Sequence, residues 1–147
     1  MLPGKEMQEV ITRNHFKHFV KINTRWSDID AYHHVNNVLY FSFFDTAVNQ
    51  YLIESGVLNP ASSDIVGLVV NNQCQFFKSI KFPLIVHVGL SVIKIGNSSV
   101  QYLLGIFSSD DTHLSALGQY THVYVDRLTN RPVTIPITIR TVLENLL

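Results

Sequence analysis

The sequence predicts an α+β fold in which an antiparallel β-sheet of about five strands wraps round one long helix. The first observation is a segment without glycine or proline, residues 37–54, whose apolar residues recur at helical spacing. The second is a set of five short segments rich in β-branched and aromatic residues, separated by turn sequences. A ferredoxin-like fold is disfavoured because it needs a second full helix between strands, and no other segment has that length.

The predicted central helix begins at Asn37, runs for about five turns and stops before Gly56. Either Asn36 or Asn37 is a suitable N-cap, because an asparagine side chain can accept hydrogen bonds from the free N–H groups of a first helical turn. The apolar face of this helix repeats every four residues: Leu39, Phe43, Ala47 and Tyr51.

The strands are predicted from period-two alternation and from the turns between them. Gly96-Asn97 and the run from Ser108 to Asp111 are hairpin signals, so the strands that flank them are expected to pair antiparallel. A short final helix is predicted over Thr138–Leu147. The five predicted strands are Phe19–Trp26, Ile65–Phe77, Leu84–Ile95, Val100–Phe107 and Leu114–Leu128.

Length and composition indicate one domain over residues 1–147, with residues 1–18 as an N-terminal extension that is expected to be partly flexible. Hydrophobic residues make up 46% of the chain and charged residues 15%, which is enough apolar material for a sizeable core. Eleven Lys and Arg balance eleven Asp and Glu. This balance argues against a broad electrostatic surface for nucleic acid or an anionic membrane.

The lone cysteine, Cys74, excludes an intramolecular disulfide and a CxxC motif. It lies in a predicted strand, where a buried inert thiol is expected more often than a nucleophile. The chain has no apolar run of the roughly 18 residues that span a membrane. We therefore expect a cytoplasmic protein that does not associate with a membrane.

Chemistry is concentrated where the first strand leads into the central helix. Asp28 and Asp30 lie in this turn, and the spacing alone fits turn and cap chemistry as well as a reactive pair. The helix start adds N–H groups with partial positive charge, which can hold an oxygen that gains negative charge during acyl transfer. A carboxylate beside such donors can attack a carbonyl or deprotonate water. Thioesters suit a site that has only a carboxylate and backbone N–H donors, because a thiol of pKa about 8.5 leaves readily as the thiolate.

The 17 residues from Arg25 to Phe41 resemble the active-site segment of the 4-hydroxybenzoyl-CoA thioesterase-like family. In that family the pattern reads Arg-Trp-x-Asp-x-Asp-x-x-x-His-Val-Asn-Asn-x-x-Tyr, and plant acyl-carrier-protein thioesterases have a similar segment. The resemblance implies a hotdog fold, a hydrolase that cleaves acyl thioesters, and an acyl-CoA or acyl-carrier-protein thioester as partner. It implies no cofactor, since coenzyme A would be part of the substrate and product.

The resemblance also implies roles for individual residues. Asp30 matches the catalytic carboxylate, acting as nucleophile or general base, and Asn37 matches the position whose backbone N–H polarises the thioester carbonyl. His34 matches a position with a direct catalytic part in the plant enzymes. Asn36 and Tyr32 are the expected substrate-binding residues of the same segment. One position departs from the family pattern, since His33 stands where relatives often have glycine.

Related enzymes often add a polar residue from the strand after the helix, contributed by the facing subunit. Here the resemblance offers Asn72, Gln73 and Gln75, of which Gln73 is taken as substrate-binding. The turn before the fourth strand matches one that is often close to the pantetheine or nucleotide of coenzyme A in relatives, and it adds three further substrate-binding candidates: Lys94, Ser98 and Ser99. A homodimer or homotetramer is expected, with the substrate between subunits.

Other functions fit the sequence less well. No metal site is predicted, because the histidines do not show metal-ligand spacing; His87, His113 and His122 are expected to be ordinary half-exposed strand residues. A hotdog hydratase or dehydratase would show an Asp-x-Asn-Pro-x-His pattern, which is absent. A non-catalytic acyl-CoA-binding module stays open as an alternative.

Overall fold

A five-stranded antiparallel sheet packs on one long helix in the computed structural model, which describes residues 4–147. This confirms the predicted α+β architecture. Within the described residues, no helix has both the length and the apolar character needed to cross a bilayer. The elements are α1 (Gly4–Val10), β1 (His18–Asn23), α2 (Leu39–Glu54), β2 (Ile65–Phe76), β3 (Ile85–Ile95), β4 (Ser99–Ser108), β5 (Ala116–Asp126) and α3 (Ile137–Glu144).

The strand order is β1-β3-β4-β5-β2, and every neighbouring pair is antiparallel. The hairpins β3–β4 and β4–β5 follow the predicted turns. In contrast, β2 does not pair with the strand that follows it; it pairs with β5 and forms one edge of the sheet. The described sheet therefore ends in β1 on one side and in β2 on the other.

The inner face of the sheet and the apolar face of α2 form the main core. Alternate residues of the two central strands are fully or almost fully buried, as the period of a strand requires. The helix contacts β5 closely because Gly118 has no side chain: a Cβ at this position would lie 2.3 Å from Cζ of Phe44. The buried strand residues are Val86, Val88, Leu90 and Val92 in β3 and Val100, Tyr102, Leu104 and Ile106 in β4.

The outer face is partly covered by the N-terminal segment. Phe16 packs over Gly89 and Gly105, where any added Cβ would lie within 2.6 Å of its ring. Met7 of α1 joins the same apolar cluster, together with Leu114 and other outer-face residues. Met7, Ile11 and Phe16 therefore anchor this segment on the outer face of the sheet.

Element boundaries differ from the predictions where side chains compete for backbone groups. The first strand ends at Asn23, three residues early, because the chain turns through a 3₁₀ helix at Trp26–Asp28. The central helix begins at Leu39 because Asn36 takes the preceding N–H groups: its Oδ1 accepts from Val38 N–H at 3.1 Å and its carbonyl accepts from Leu39 N–H at 3.0 Å. Asparagine therefore closes a turn ahead of the helix instead of capping its first turn.

Candidate active site

The candidate site is built on a short hairpin of residues 28–36. Asp30 N–H donates to the carbonyl of His34 at 2.9 Å, and Asn36 N–H donates to the carbonyl of Asp28 at 2.9 Å. Val35 N–H donates to the carbonyl of Ile80, which ties the hairpin to the chain between β2 and β3. The loop is thus held by backbone hydrogen bonds at several points.

Asp28 is a structural carboxylate at the base of this hairpin. It is buried, and its Oδ2 accepts from Arg25 N–H at 2.8 Å. Its Oδ1 accepts from Nε and Nη2 of Arg25 at 3.0 Å and 2.8 Å. All these contacts close the turn after β1, so the side chain is fully occupied in holding the loop.

Asp30 is half-buried, and its two carboxylate oxygens have different surroundings. Oδ1 accepts from Tyr32 N–H at 2.8 Å and from His34 N–H at 3.3 Å. Among the described residues no donor contacts Oδ2. The turn role that the sequence left open is therefore real, yet it uses one oxygen and leaves the other available.

From Val35 to Tyr40, only the backbone N–H of Asn37 donates to no acceptor within residues 4–147. The N–H groups before and after it are all used: those of Val35, Asn36, Val38, Leu39 and Tyr40. Because this free N–H stands directly ahead of the amino end of α2, the field of the helix favours an electron-rich oxygen there.

His33 has a backbone φ of 64°, in the left-handed region. This region favours glycine, so His33 carries a side chain in a backbone conformation that is strained for other residues. The neighbours His34 and Tyr32 line an open pocket of about 340 Å³ together with Trp26, Ile29, His33, Lys81 and Phe82.

Gln73 lies on the outer face of β2, so within one protomer it does not face the central helix. It pairs with Gln119 and lies beside Met7 on the outer side of the sheet, away from α2. Asn72 pairs with Tyr120 on the helix side, and its Oδ1 is buried without a hydrogen-bond partner among the described residues. A β-bulge between Val69 and Asn71 adds a residue to the strand. Counting alternate positions from the start of β2 would therefore put Asn72 and Gln73 on the faces opposite to those they occupy.

Lys94, Ser98 and Ser99 lie at the far end of the sheet from Asp30. The hairpin of Asp30 follows β1, whose last residue pairs with Ile85 at the start of β3, while Lys94 is near the end of β3. Nine residues of strand separate the two by roughly 30 Å. One protomer therefore does not bring this turn and Asp30 into one site.

A polar chain beneath the central helix was not predicted from the sequence. Tyr120 Oη donates to Oδ1 of Asp45 at 2.5 Å, and it lies 3.0 Å from Nε2 of His122. Because the tyrosine proton is used toward Asp45, its oxygen accepts from Nε2–H, which leaves Nδ1 of His122 as an acceptor. The alternation of β5 carried the only signal for this arrangement.

The expectation of a half-exposed His122 is wrong, since its side chain is only 1% exposed. It faces inward because residue 122 shares the parity of the buried Tyr120 and Tyr124. Burial lowers the pKa of His122 to about 4, although the charge of Asp45 acts in the opposite direction. The ring is therefore neutral at pH 7.

Cys74 is half-buried on the helix side of β2, and burial raises the pKa of its thiol to about 12. A thiol of this pKa carries almost no thiolate near neutral pH and is a poor nucleophile. In the part of the chain that the structure describes, no three side chains of His, Cys, Asp or Glu come together as metal ligands.

This fold and site place the chain in a family. The family model of the thioesterase-like superfamily matches residues 24–145, so the chain belongs to this superfamily. No curated protein matches the sequence significantly.

Solved structures agree with the hotdog fold. The PA5185 protein of Pseudomonas aeruginosa is 47% identical, with a TM-score of 0.89 over 92% of this chain and 94% of that chain. The PA2801 protein of the same organism, a proposed thioesterase, is 27% identical, with a TM-score of 0.81 over 86% and 97%. A 1,4-dihydroxy-2-naphthoyl-CoA thioesterase from Synechocystis is 15% identical, with a TM-score of 0.78 over 87% and 96%, and shows the fold alone.

Changing His33 tests the left-handed backbone of the hairpin. We expect His33→Gly to raise the free energy of unfolding by up to about 1 kcal/mol, since glycine removes the steric cost of positive φ but adds entropy to the unfolded chain. His33→Val should lower it by about 1–3 kcal/mol, because a β-branched side chain is strained there. Urea unfolding of the three proteins measures both values, and equal stabilities would contradict the conformation described.

Acid titration tests the buried His122. The unfolded state takes up a proton near pH 6.5 and the folded state only near pH 4, so the stability due to the neutral ring falls as the pH falls through this window. The slope for one proton is up to about 1.4 kcal/mol per pH unit. Since burial also lowers the pKa of His87, the measurement is the difference between wild type and His122→Gln in urea unfolding at pH 7 and pH 5. Identical pH dependence of the two proteins would refute the assignment.

Proposed function

We propose that this protein hydrolyses an acyl thioester, most simply an acyl-CoA, to the free acid and the thiol. The observation that carries the proposal is the free N–H of Asn37 next to a hairpin whose Asp30 keeps one carboxylate oxygen without a donor. One group can polarise a carbonyl and the other can act on its carbon. Membership of the thioesterase-like superfamily supports the same reaction class.

In the proposed reaction the thioester carbonyl oxygen accepts a hydrogen bond from Asn37 N–H. Oδ2 of Asp30 either attacks the carbonyl carbon, giving an anhydride that water then hydrolyses, or removes a proton from an attacking water. In both routes the C–S bond breaks, the sulfur leaves as thiolate and takes up a proton, and the acyl carbon keeps an oxygen from water. Oδ1 remains held by the two backbone donors, so the carboxylate does not rotate away.

His34 supports this geometry through its backbone N–H, and Asn36 supports it through its side-chain Oδ1 and its carbonyl. The N–H of His34 contributes one of the two donors to Asp30, and Asn36 holds the turn that leaves Asn37 N–H free. The side chain of His34 faces the open pocket beside the hairpin. We propose that it shapes the entrance for the substrate.

We further propose that the protein works as a dimer formed through β2. This strand is twelve residues long, forms one edge of the sheet and exposes several apolar side chains. A long apolar edge of this kind is normally covered by another chain. The exposed residues of β2 are Leu68, Val69, Val70 and Phe76.

Two-fold antiparallel pairing of β2 would place the start of one strand beside the end of the other. The start of β2 borders an apolar cavity of about 300 Å³, walled by Leu52, Leu58, Ile65 and their neighbours. The end of β2 lies near Tyr40, three residues after Asn37, because the ring centroids of Phe76 and Tyr40 are 5.0 Å apart. In such a dimer the cavity of one protomer lies toward the hairpin of its partner, where it suits an acyl group.

Substituting the two carboxylates separates chemistry from structure. Asp30→Asn should lower kcat at least about a hundredfold, equivalent to about 3 kcal/mol in the barrier, with KM and melting temperature nearly unchanged. The amide oxygen can still accept from Tyr32 and His34, but it neither attacks nor takes up a proton. Asp28→Asn should lower the melting temperature and leave more of the activity of the folded protein.

The assay is hydrolysis of a panel of acyl-CoAs from short branched to long-chain and aryl, with thermal unfolding of each variant. Near-wild-type turnover by Asp30→Asn would end this mechanism. Tight binding of one acyl-CoA with no turnover of any would favour the binding module instead.

Disturbing the open edge tests the dimer. Val70 is 60% exposed on β2, so Val70→Lys should shift the protein toward monomer in sedimentation and lower its activity. Ile93→Lys is the matched control, since Ile93 is 47% exposed but lies on β3. A wild-type protein that sediments as a monomer while fully active would refute the proposed assembly.

A further inference from the structure

Three exposed aromatic side chains lie on and around the hairpin of the candidate site. Trp26 is 74% exposed, Tyr32 is 79% exposed and Phe82 is 38% exposed. Trp26 and Phe82 pack edge to face with ring centroids 5.7 Å apart. Large aromatic residues that stay together in solvent mark a place where a ligand or partner binds.

These rings belong to a concave site. All three line the open pocket of about 340 Å³, and the hairpin that holds Asp30 forms its wall through Ile29 and His34. The pocket therefore adjoins the proposed reaction centre on the solvent side. An acyl group is better served by the more apolar cavity at the start of β2.

Lys81 supplies the only ammonium group among the residues that line this pocket. Its side chain forms no ion pair within residues 4–147, whereas the neighbouring Lys78 is engaged by Asp111. No acidic side chain lines the pocket. Three aromatic faces with one unengaged lysine form a combination that suits a purine base and its phosphates.

We propose that this pocket binds the adenine nucleotide end of coenzyme A, with the base stacked on Trp26 and Tyr32 and a phosphate on Lys81. The proposal rests on the proposed function and deepens it: it assigns the nucleotide to the hairpin, and it moves the phosphate contact from Lys94 to Lys81. The pantetheine arm then runs from this open pocket toward Asp30. A thioester carried on a protein would lack the adenine and would not use this pocket.

Trp26 allows a direct binding test because it is the only tryptophan in the sequence. Coenzyme A and adenosine 3′,5′-bisphosphate should quench its fluorescence with saturation, and pantetheine should not. The measurement needs no turnover, so it stands even if the proposed hydrolysis fails. Absence of quenching by either nucleotide, or equal quenching by pantetheine, would overturn the proposal.

Kinetics on matched substrates give the second test. For Trp26→Ala and Lys81→Ala we expect KM for acyl-CoA to rise about tenfold with kcat unchanged, while kcat/KM for the same acyl group on pantetheine stays at the wild-type value. Trp26→Phe should retain most of the affinity because it keeps a stacking surface. Val10→Ala is the control, since Val10 is 55% exposed and belongs to α1, which packs on the outer face of the sheet.

The outcomes separate this proposal from the others. An equal loss on both substrates means that Trp26 only supports the loop, and it overturns the nucleotide site. A change in the sedimentation of Trp26→Ala means that a second copy of the chain covers the rings. This result also overturns the nucleotide site. Inactivity of the wild type on every thioester refutes the proposed function alone, provided that nucleotide quenching is observed.

Discussion

The contact between Phe44 and Gly118 determines how closely the central helix approaches the sheet. The ring of Phe44 lies directly on the backbone of β5, in space that any side chain at position 118 would occupy. Once this contact is made, the rest of the apolar face of α2 is brought onto the inner face of the sheet. The amino end of the helix is then fixed relative to the hairpin before it, and the direction of the Asn37 N–H follows from that placement.

In the hairpin, one carboxylate combines an observed turn role with the proposed reactive role. Oδ1 of Asp30 satisfies backbone donors that would otherwise be left without partners in a tight turn, and such groups are costly to leave unpaired when buried. Holding one oxygen also orients the other. The neighbouring Asp28 has both oxygens engaged with Arg25, so the same residue type two positions earlier contributes only to the loop.

Much of the fold could be predicted because periodicity is a local property. Helical spacing identified α2, and hairpin turns identified the order β3-β4-β5. What could not be predicted depends on pairing between distant segments. The position of β2 beside β5 is one example. The pairing of β1 with β3 is another: it puts Lys94 and Asp30 at opposite ends of the sheet, and no local pattern records it.

The side-chain errors have equally specific causes. The face on which Gln73 lies could not be read from the sequence, because the bulge near Val69 leaves no local signal. His122 was expected to be half-exposed, but its polar ring sits at a buried position. Asp45 was missed because an aspartate on a helix is usually solvated, whereas here the hydroxyl of Tyr120 reaches it from the strand below. In contrast, the glycine-type backbone at His33 was signalled by the departure from the family pattern.

Val70 lengthens β2 by one residue without taking part in its alternation. A homologous chain that lacked this residue would still present Asn72 and Cys74 to the helix, so a deletion at this point is silent for the groups beneath α2. A deletion anywhere else in the strand would exchange every later side chain between the two faces. Alignments of relatives should therefore place a one-residue gap at the bulge, where evolution can change strand length without rebuilding the interior.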